Sequence, residues 1–153
     1  VSAVRALEQT LGRHVPLMIS ATVDAAGRTL TGQSVETFWD TVSHAAPLAV
    51  GLNCAFGAAA LRPPLQALAR AAPCLTSVHP NAGLPDGQGA YPDGPESMAA
   101  ALRAFAEEGL VNIVGGCCGT TPAHIEAIAA AVRNVAPRRA ARSGPTSFSG
   151  RAR

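Results

Sequence analysis

Four short apolar runs alternate with amphipathic segments, and this alternation limits what the chain can fold into. The runs are apolar at consecutive positions, as is typical of parallel strands buried on both faces. They predict strands over Val15–Val23, Leu48–Cys54, Cys74–His79 and Leu110–Val114. Helical periodicity follows each run, over Thr31–Ala46, Leu65–Ala72, Pro95–Glu108 and Thr121–Val135, and a further helix over Val4–Leu11 precedes the first strand. Repeated strand–helix units predict an α/β fold with a parallel sheet and crossover helices.

Local signals define several helix ends. Ser34 and Thr121 are side chains suited to N-caps, because their hydroxyls can accept a bond from an exposed N–H of the first turn. The Pro63-Pro64 pair suits a first helical turn, so this helix is predicted to begin near Leu65. The last helix is expected to turn three apolar side chains inward: Ile125, Ile128 and Val132.

The length of 153 residues leaves two architectures open. One is a small open α/β sheet, and the other is part of a (β/α)8 barrel. A complete barrel needs about 250 residues. This chain would therefore supply about half of one, and the periodicity cannot distinguish the two architectures.

The charges are unevenly distributed. All twelve basic residues are arginines, and five of them lie within positions 138–153, whereas positions 1–137 carry seven arginines and ten acidic residues, a net charge of −3. We therefore expect a folded domain over 1–137 and a basic, disordered tail or linker over 138–153. Basic and aromatic residues do not cluster on a folded face, so no nucleic-acid partner is expected. No apolar run reaches the roughly 18 residues of a membrane helix, which favours a cytoplasmic protein without membrane contact.

Three of the four cysteines follow predicted strands. Cys54 ends the second strand, and Cys117 and Cys118 follow the fourth in a glycine-rich stretch, whereas Cys74 begins its strand at the opposite end. Carboxyl ends of parallel strands meet at one edge of the sheet, where the chemistry of such folds lies. Three thiolates there suit zinc, whose catalytic sites keep a fourth position open. The alternative is a small buried hydrophobe, which we favour for Cys74, and a disulfide is not expected in a reducing compartment.

Four stretches of the chain resemble a known family: MISATVDAAGRTLTGQS (18–34), GLNC (51–54), HPNAGLP (79–85) and NIVGGCCGTTPAHI (112–125). Together they resemble the homocysteine-binding domain of cobalamin-dependent methionine synthase, over about residues 4–137. Betaine-dependent and S-methylmethionine-dependent homocysteine methyltransferases share the cysteine trio. HPNAGLP and GRTLTGQ favour the cobalamin-dependent branch.

This resemblance implies a TIM barrel of which the chain holds about the last four strand–helix units. It also implies that Cys54, Cys117 and Cys118 bind one zinc ion, which holds homocysteine as a thiolate. The homocysteine sulfur then takes the methyl group of methylcobalamin to form methionine. In this family the cobalamin-binding and folate-binding modules lie outside this domain, so methylcobalamin would be bound by another module.

The resemblance also predicts partners and an alternative function. The first half of the barrel is missing, so we expect a homodimer or pairing with a separate N-terminal half. The isolated chain is not expected to be active alone. The alternative is a truncated, inactive fragment that only binds zinc.

Several other residues are candidates for smaller roles. Asn53 precedes a predicted ligand and is a candidate for binding the thiolate or the substrate, with a turn-forming role as the alternative. His79 and Asn81 are candidates for supporting the site or packing its loops. His124 is expected to be exposed to solvent in the first turn of the last helix. Backbone conformation is the role expected of three glycines: Gly115, Gly116 and Gly119.

Overall fold

The computed structural model describes residues 1–139, in which helices alternate with four parallel strands. The elements are α1 (Ser2–Leu11), β1 (Met18–Ala21), α2 (Val35–Ser43), β2 (Ala49–Asn53), α3 (Ala58–Ala71), β3 (Leu75–His79), α4 (Pro95–Glu107), β4 (Ile113–Val114) and α5 (Pro122–Val132). The sheet order is β1-β2-β3-β4, so consecutive strands are neighbours, as in part of a (β/α)8 barrel. The predicted fold class is confirmed. No helix within the described residues is long and apolar enough to cross a membrane.

The central strands are buried on both faces, as their unbroken apolar sequence predicts. In the register of the sheet, Val50 of β2 pairs with Thr76 of β3, and Leu52 pairs with Val78. All four side chains are inaccessible to solvent. Such burial is characteristic of parallel strands that have covering layers on each side.

The hydrophobic core is formed by the sheet and the helices packed on it. Leu61, Leu65 and Leu68 of α3 are spaced four and three residues apart, which places them on one helical face. All three are fully buried, together with Leu102 and Phe105 of α4. This face fixes α3 against β2 and β3, and so fixes the strand ends that carry the candidate site.

Helix α3 begins at Ala58 and contains both prolines of the Pro63-Pro64 pair. The prediction that this helix starts near Leu65 was therefore wrong. Proline removes an N–H, so the carbonyls four residues earlier lose their helical partners. Those carbonyls belong to exposed residues of the first turn, where water can bond them. Burial of Leu61 in the core extends the helix past the local proline signal.

Both predicted N-caps are confirmed. The Ser34 hydroxyl accepts a bond from the Thr37 N–H at 3.3 Å at the start of α2. Thr121 caps α5 in a reciprocal arrangement with His124. Ile125 of α5 is 47% exposed and does not face inward as expected, whereas Ile128 is buried.

Arg138 belongs to the folded part of the chain, not to the tail in which the charge distribution placed it. Its side chain is only 8% exposed. The guanidinium donates hydrogen bonds to the carbonyls of Ala69, Ala72 and Cys74 at 2.7, 2.8 and 2.9 Å. It thereby caps the end of α3, where unpaired carbonyls favour a cation. Most of the predicted tail, 140–153, lies outside the described residues.

Candidate metal centre

Three cysteine side chains meet at the carboxyl end of the sheet. Cys54 follows β2, and Cys117 and Cys118 follow β4. Their three Sγ atoms all lie within 4.8 Å of one another, and those of Cys117 and Cys118 are 3.9 Å apart. Cys74 directly precedes β3, at the opposite end of the sheet, and is not part of this cluster. The convergence expected from the sequence is observed.

The Sγ atoms of Cys54 and Cys117 are in direct contact, with the Cα atoms of the two residues 5.7 Å apart. Cys118 completes the group and is exposed to solvent. Because a metal binds the thiolate form, all three cysteines must be in the reduced state to act as ligands.

The reduced donor set fits zinc. With Zn–S distances of about 2.3 Å, the sulfur atoms of a tetrahedral site lie roughly 3.8 Å apart. The Cys117 and Cys118 sulfurs already have this spacing at 3.9 Å. The Cys54 sulfur lies within 4.8 Å of both of them. Three thiolates are soft ligands of the kind zinc prefers over magnesium or calcium.

The backbone at Cys54 is held in an uncommon conformation. Cys54 and Ala55 both have positive φ angles, of 55° and 62°. The Cys54 N–H donates to the His79 carbonyl at 2.9 Å, and the Phe56 N–H donates to the Cys54 carbonyl at 2.7 Å. Left-handed residues other than glycine cost energy and persist where the surroundings hold them, often at functional sites. This turn keeps Cys54 beside the carboxyl end of β3.

The loop after β3 holds the Cys117-Cys118 dipeptide in place. The Cys117 N–H donates to the Pro80 carbonyl at 2.8 Å, and the Cys118 N–H donates to Asn81 Oδ1 at 3.1 Å. The Ala82 N–H donates to the Cys118 carbonyl at 2.9 Å. Asn81 is buried, and its side chain joins the loop after β3 to the backbone of the cysteine pair. This bond is the loop-packing role considered for Asn81, and a role in supporting a bound metal stays a prediction.

The glycines around the cysteines serve conformation and close packing. Gly119 has a φ of 79°, as the expected backbone role requires. A Cβ on Gly115 would lie 2.7 Å from Cδ2 of His79, and one on Gly116 would lie 2.3 Å from Cγ2 of Thr120. His79 therefore packs its ring against the glycine-rich stretch. Burial lowers the pKa of His79, which favours the neutral imidazole.

Asn53 makes its hydrogen bonds across the sheet. Its Oδ1 accepts a bond from the Ser20 hydroxyl at 2.5 Å, and its Nδ2 donates to the Thr22 hydroxyl at 3.4 Å. These bonds connect the end of β2 to β1 and its following residue. A contact of Asn53 with the substrate stays a prediction.

His124 is buried, and the expectation that it would be exposed was wrong. Its side chain is 7% exposed, and Nδ1 accepts the Thr121 N–H at 3.1 Å. We assign the ring proton to Nε2, which then donates to the Asp93 carbonyl at 2.9 Å. The imidazole completes the cap of α5 and connects it to the residues before α4, and this turns the ring inward.

Sequence reasoning gave no role to Tyr91, which lies beside the cluster. A Cβ on Gly119 would be 2.2 Å from Cγ of the Tyr91 ring, so the ring stands directly over this glycine. The pKa of Tyr91 is raised, first by desolvation and then by the charge and hydrogen bonding of the neighbouring Cys118. The sequence gave little indication of this position. Tyr91 is the only tyrosine of the chain, and it lies in the segment that follows β3.

Comparisons with known proteins identify the family and the fold to which this chain is similar. The homocysteine S-methyltransferase family model matches residues 1–132. The chain is similar to the homocysteine methyltransferase MmuM from Escherichia coli in its metallated form, with a TM-score of 0.58 and 22% identity over 84% of this chain. The oxidized form of that enzyme gives a TM-score of 0.57 and 21% identity, also over 84% of this chain. This chain covers 39% and 40% of those two chains, respectively.

The two structural similarities support the barrel-like arrangement of strands and helices. The family model spans nearly all of the described residues, including the three clustered cysteines. The chain therefore belongs to the homocysteine S-methyltransferase family.

Proposed function

We propose that this chain is the metal-bearing part of a homocysteine S-methyltransferase, with Cys54, Cys117 and Cys118 as the ligands of one zinc ion. The observation that carries the proposal is the approach of three sulfurs to within 4.8 Å at the carboxyl end of the sheet. The catalytic sites of α/β barrels lie at this end. A related fold in the Escherichia coli enzyme has a metallated form, which supports a metal in this fold.

A zinc ion held by three thiolates supplies a Lewis acid whose open fourth position binds a substrate thiol in its thiolate form. The chain's own residues keep the ligands in place. Pro80, Asn81 and Ala82 fix the backbone of the cysteine pair through three hydrogen bonds. Asn53 precedes Cys54, and its amide retains hydrogen-bonding capacity, so we propose it as a contact for homocysteine.

The identity of the methyl donor is a second and more specific proposal. The stretches HPNAGLP and GRTLTGQ favour the cobalamin-dependent branch, in which methylcobalamin is bound by another module and methionine is the product. A betaine-dependent or S-methylmethionine-dependent enzyme is the alternative. These donors can be distinguished by supplying each in turn to the zinc-loaded protein together with homocysteine.

The 153 residues alone are proposed to bind the metal without turnover. They span about 40% of the solved chains that they match. Strands β1 and β4 each have one neighbour in the described sheet, so each leaves an outer edge with unpaired backbone groups. We propose that these edges pair with the other strands of a barrel, supplied by an N-terminal half or by a second copy.

Zinc content per chain tests the metal assignment. The protein is reduced with a phosphine that does not retain zinc, loaded with zinc and dialysed. We expect about one zinc per chain in the parent and none in the Cys117→Ala, Cys118→Ala double variant. The matched control is Cys74→Ala, which removes a cysteine outside the cluster and is expected to retain the metal.

A parent protein that stays free of zinc after full reduction would contradict the proposal. Equal zinc content in the double variant would contradict the choice of ligands. Substrate binding is checked separately with the cobalt-substituted protein, whose absorption spectrum is expected to change when homocysteine is added and to stay constant with homoserine, which has no thiol.

A further inference from the structure

Thr22 directly follows β1, and its hydroxyl group forms two hydrogen bonds with a single residue of the neighbouring strand. The hydroxyl donates to the Asn53 carbonyl at 3.1 Å and accepts a bond from Nδ2 of the Asn53 side chain at 3.4 Å. A threonine hydroxyl has one hydrogen to donate and two lone pairs, so both bonds can exist together. Thr22 therefore holds the main chain and the side chain of the residue that precedes Cys54.

The peptide group between Asn53 and Cys54 is bonded from both of the strands that flank β2. Its carbonyl belongs to Asn53 and accepts the Thr22 hydroxyl, on the side of β1. Its N–H belongs to Cys54 and donates to the His79 carbonyl at 2.9 Å, at the end of β3. Rotation of this peptide group would break both bonds, so its orientation is fixed immediately before a proposed zinc ligand.

This peptide group controls the backbone conformation of Cys54. The φ angle of Cys54 is 55°, in the left-handed region, which costs energy in a residue other than glycine. A return to a negative φ angle requires the preceding peptide group to rotate. The bonds from Thr22 and to His79 oppose that rotation. They thereby keep the Cys54 sulfur within 4.8 Å of the other two cysteine sulfurs.

The backbone around Thr22 is itself well anchored. The next residue, Val23, is only 3% exposed and forms a bridge with Thr29 in the loop that follows β1. Two residues before Thr22, the Ser20 hydroxyl donates to Oδ1 of Asn53 at 2.5 Å. The Thr22 side chain is exposed, so the loss of its hydroxyl would leave no gap in the core.

We propose that Thr22 is a positioning residue of the zinc site, which acts through the Asn53–Cys54 peptide group to direct the Cys54 sulfur toward the other two cysteines. This inference rests on the proposed zinc binding. Groups that fix the orientation of a metal ligand raise the affinity of the site, because less ordering has to occur when the metal binds. The inference makes β1 part of a site whose ligands follow β2 and β4.

Zinc affinity tests this role. The reduced protein competes with a chromophoric chelator for zinc, and the parent is compared with Thr22→Val and Thr22→Ser. Thr22→Val keeps the shape of the side chain and removes the hydroxyl, so zinc affinity is expected to fall about 3-fold to 10-fold, as for the loss of a hydrogen bond. Thr22→Ser keeps the hydroxyl and is expected to bind zinc as tightly as the parent. The matched control is Thr10→Val, which removes an exposed hydroxyl bonded within α1 and should leave zinc affinity unchanged.

Two further measurements separate positioning from general stability. Urea unfolding of the reduced, metal-free protein is expected to give the same midpoint for Thr22→Val and Thr10→Val. In the cobalt-substituted protein, the sulfur-to-metal charge-transfer band is expected to shift in Thr22→Val and to stay at the parent position in Thr22→Ser.

Three results would overturn the role of Thr22 and leave the zinc site intact. The first is equal zinc affinity and identical cobalt spectra in the parent and Thr22→Val. The second is an equal loss of affinity in Thr22→Val and Thr22→Ser, which would assign the effect to side-chain shape. The third is a lower urea midpoint in Thr22→Val than in Thr10→Val, which would make Thr22 a general structural residue. A parent that binds neither metal would overturn the proposed zinc function, and the role of Thr22 with it.

Discussion

Gly119 meets two separate structural demands at one position. Its φ of 79° lies in the left-handed region, and its α-carbon lies under the ring of Tyr91. Only the first demand could be inferred from a glycine that follows two cysteines. The second arises from a contact between residues 28 positions apart, which a single sequence does not display.

Gly119→Ala is expected to be much more damaging than Gly12→Ala. Both glycines have positive φ angles, but a Cβ at Gly12 would meet nothing within 4 Å. Backbone strain alone should lower the free energy of unfolding of Gly12→Ala by about 1 kcal/mol. The added clash with Tyr91 should raise the loss to about 3 kcal/mol in Gly119→Ala. Urea unfolding measures the free energy of unfolding of both variants. Equal decreases would show that the Tyr91 ring can move aside without loss of stability.

The N-terminus of α5 shows how a helix cap can also join two elements. His124 accepts the Thr121 N–H and donates to the Asp93 carbonyl just before α4. The Thr-Pro sequence predicts the start of this helix correctly, because capping depends on neighbouring residues. The orientation of His124 depends on α4, which packs against α5, and local sequence gives no sign of it.

His124→Ala removes both of these hydrogen bonds. We expect the free energy of unfolding to fall by about 1–2 kcal/mol, since a cap and a buried bond are lost together. His44→Ala is the control, because His44 is exposed at the end of α2. This substitution should lower the free energy of unfolding by only about a few tenths of a kcal/mol. A loss in His124→Ala no larger than that of the control would mean that the cap contributes little.

The order of strands and helices was predictable from the sequence, whereas several of their first and last residues were not. Strand and helix periods differ, so four apolar runs with helical segments between them define the fold class. The limits depend on tertiary packing. Core burial of Leu61 extends α3 back to Ala58 across two prolines, and the sheet includes only Ile113–Val114 of the run predicted as the fourth strand. The cysteine cluster was predictable because strand ends in a parallel sheet share one edge.

At the scale of the whole molecule, Arg138 connects the end of the described chain to its centre. Its guanidinium bonds three carbonyls at the end of α3 and the start of β3, and its own carbonyl accepts a bond from Asn112 at 2.7 Å. Five clustered arginines in sequence suggested a solvated tail. Composition could not reveal that one of them is directed into the fold.

Arg138→Ala should destabilise the whole domain. Three carbonyls near the core would lose a charged donor, and we expect the free energy of unfolding to fall by about 2–4 kcal/mol. Arg139→Ala is the matched control, since Arg139 is exposed and should change stability by less than about 0.5 kcal/mol. Thermal and urea unfolding compare the two variants. Similar stability in both would contradict an anchoring role for Arg138.

The cysteine cluster joins strands that do not touch each other. Cys54 follows β2 and the Cys117-Cys118 pair follows β4, with β3 lying between these two strands. A metal ion bound by all three cysteines would therefore link β2 to β4 across β3. It would hold β4, which has only two residues, to the rest of the sheet. Two of the three ligands are adjacent and already immobilised, so the third closes the chelate only when β2 and β3 are correctly paired. Metal retention would then report on the integrity of the sheet as well as on readiness for chemistry.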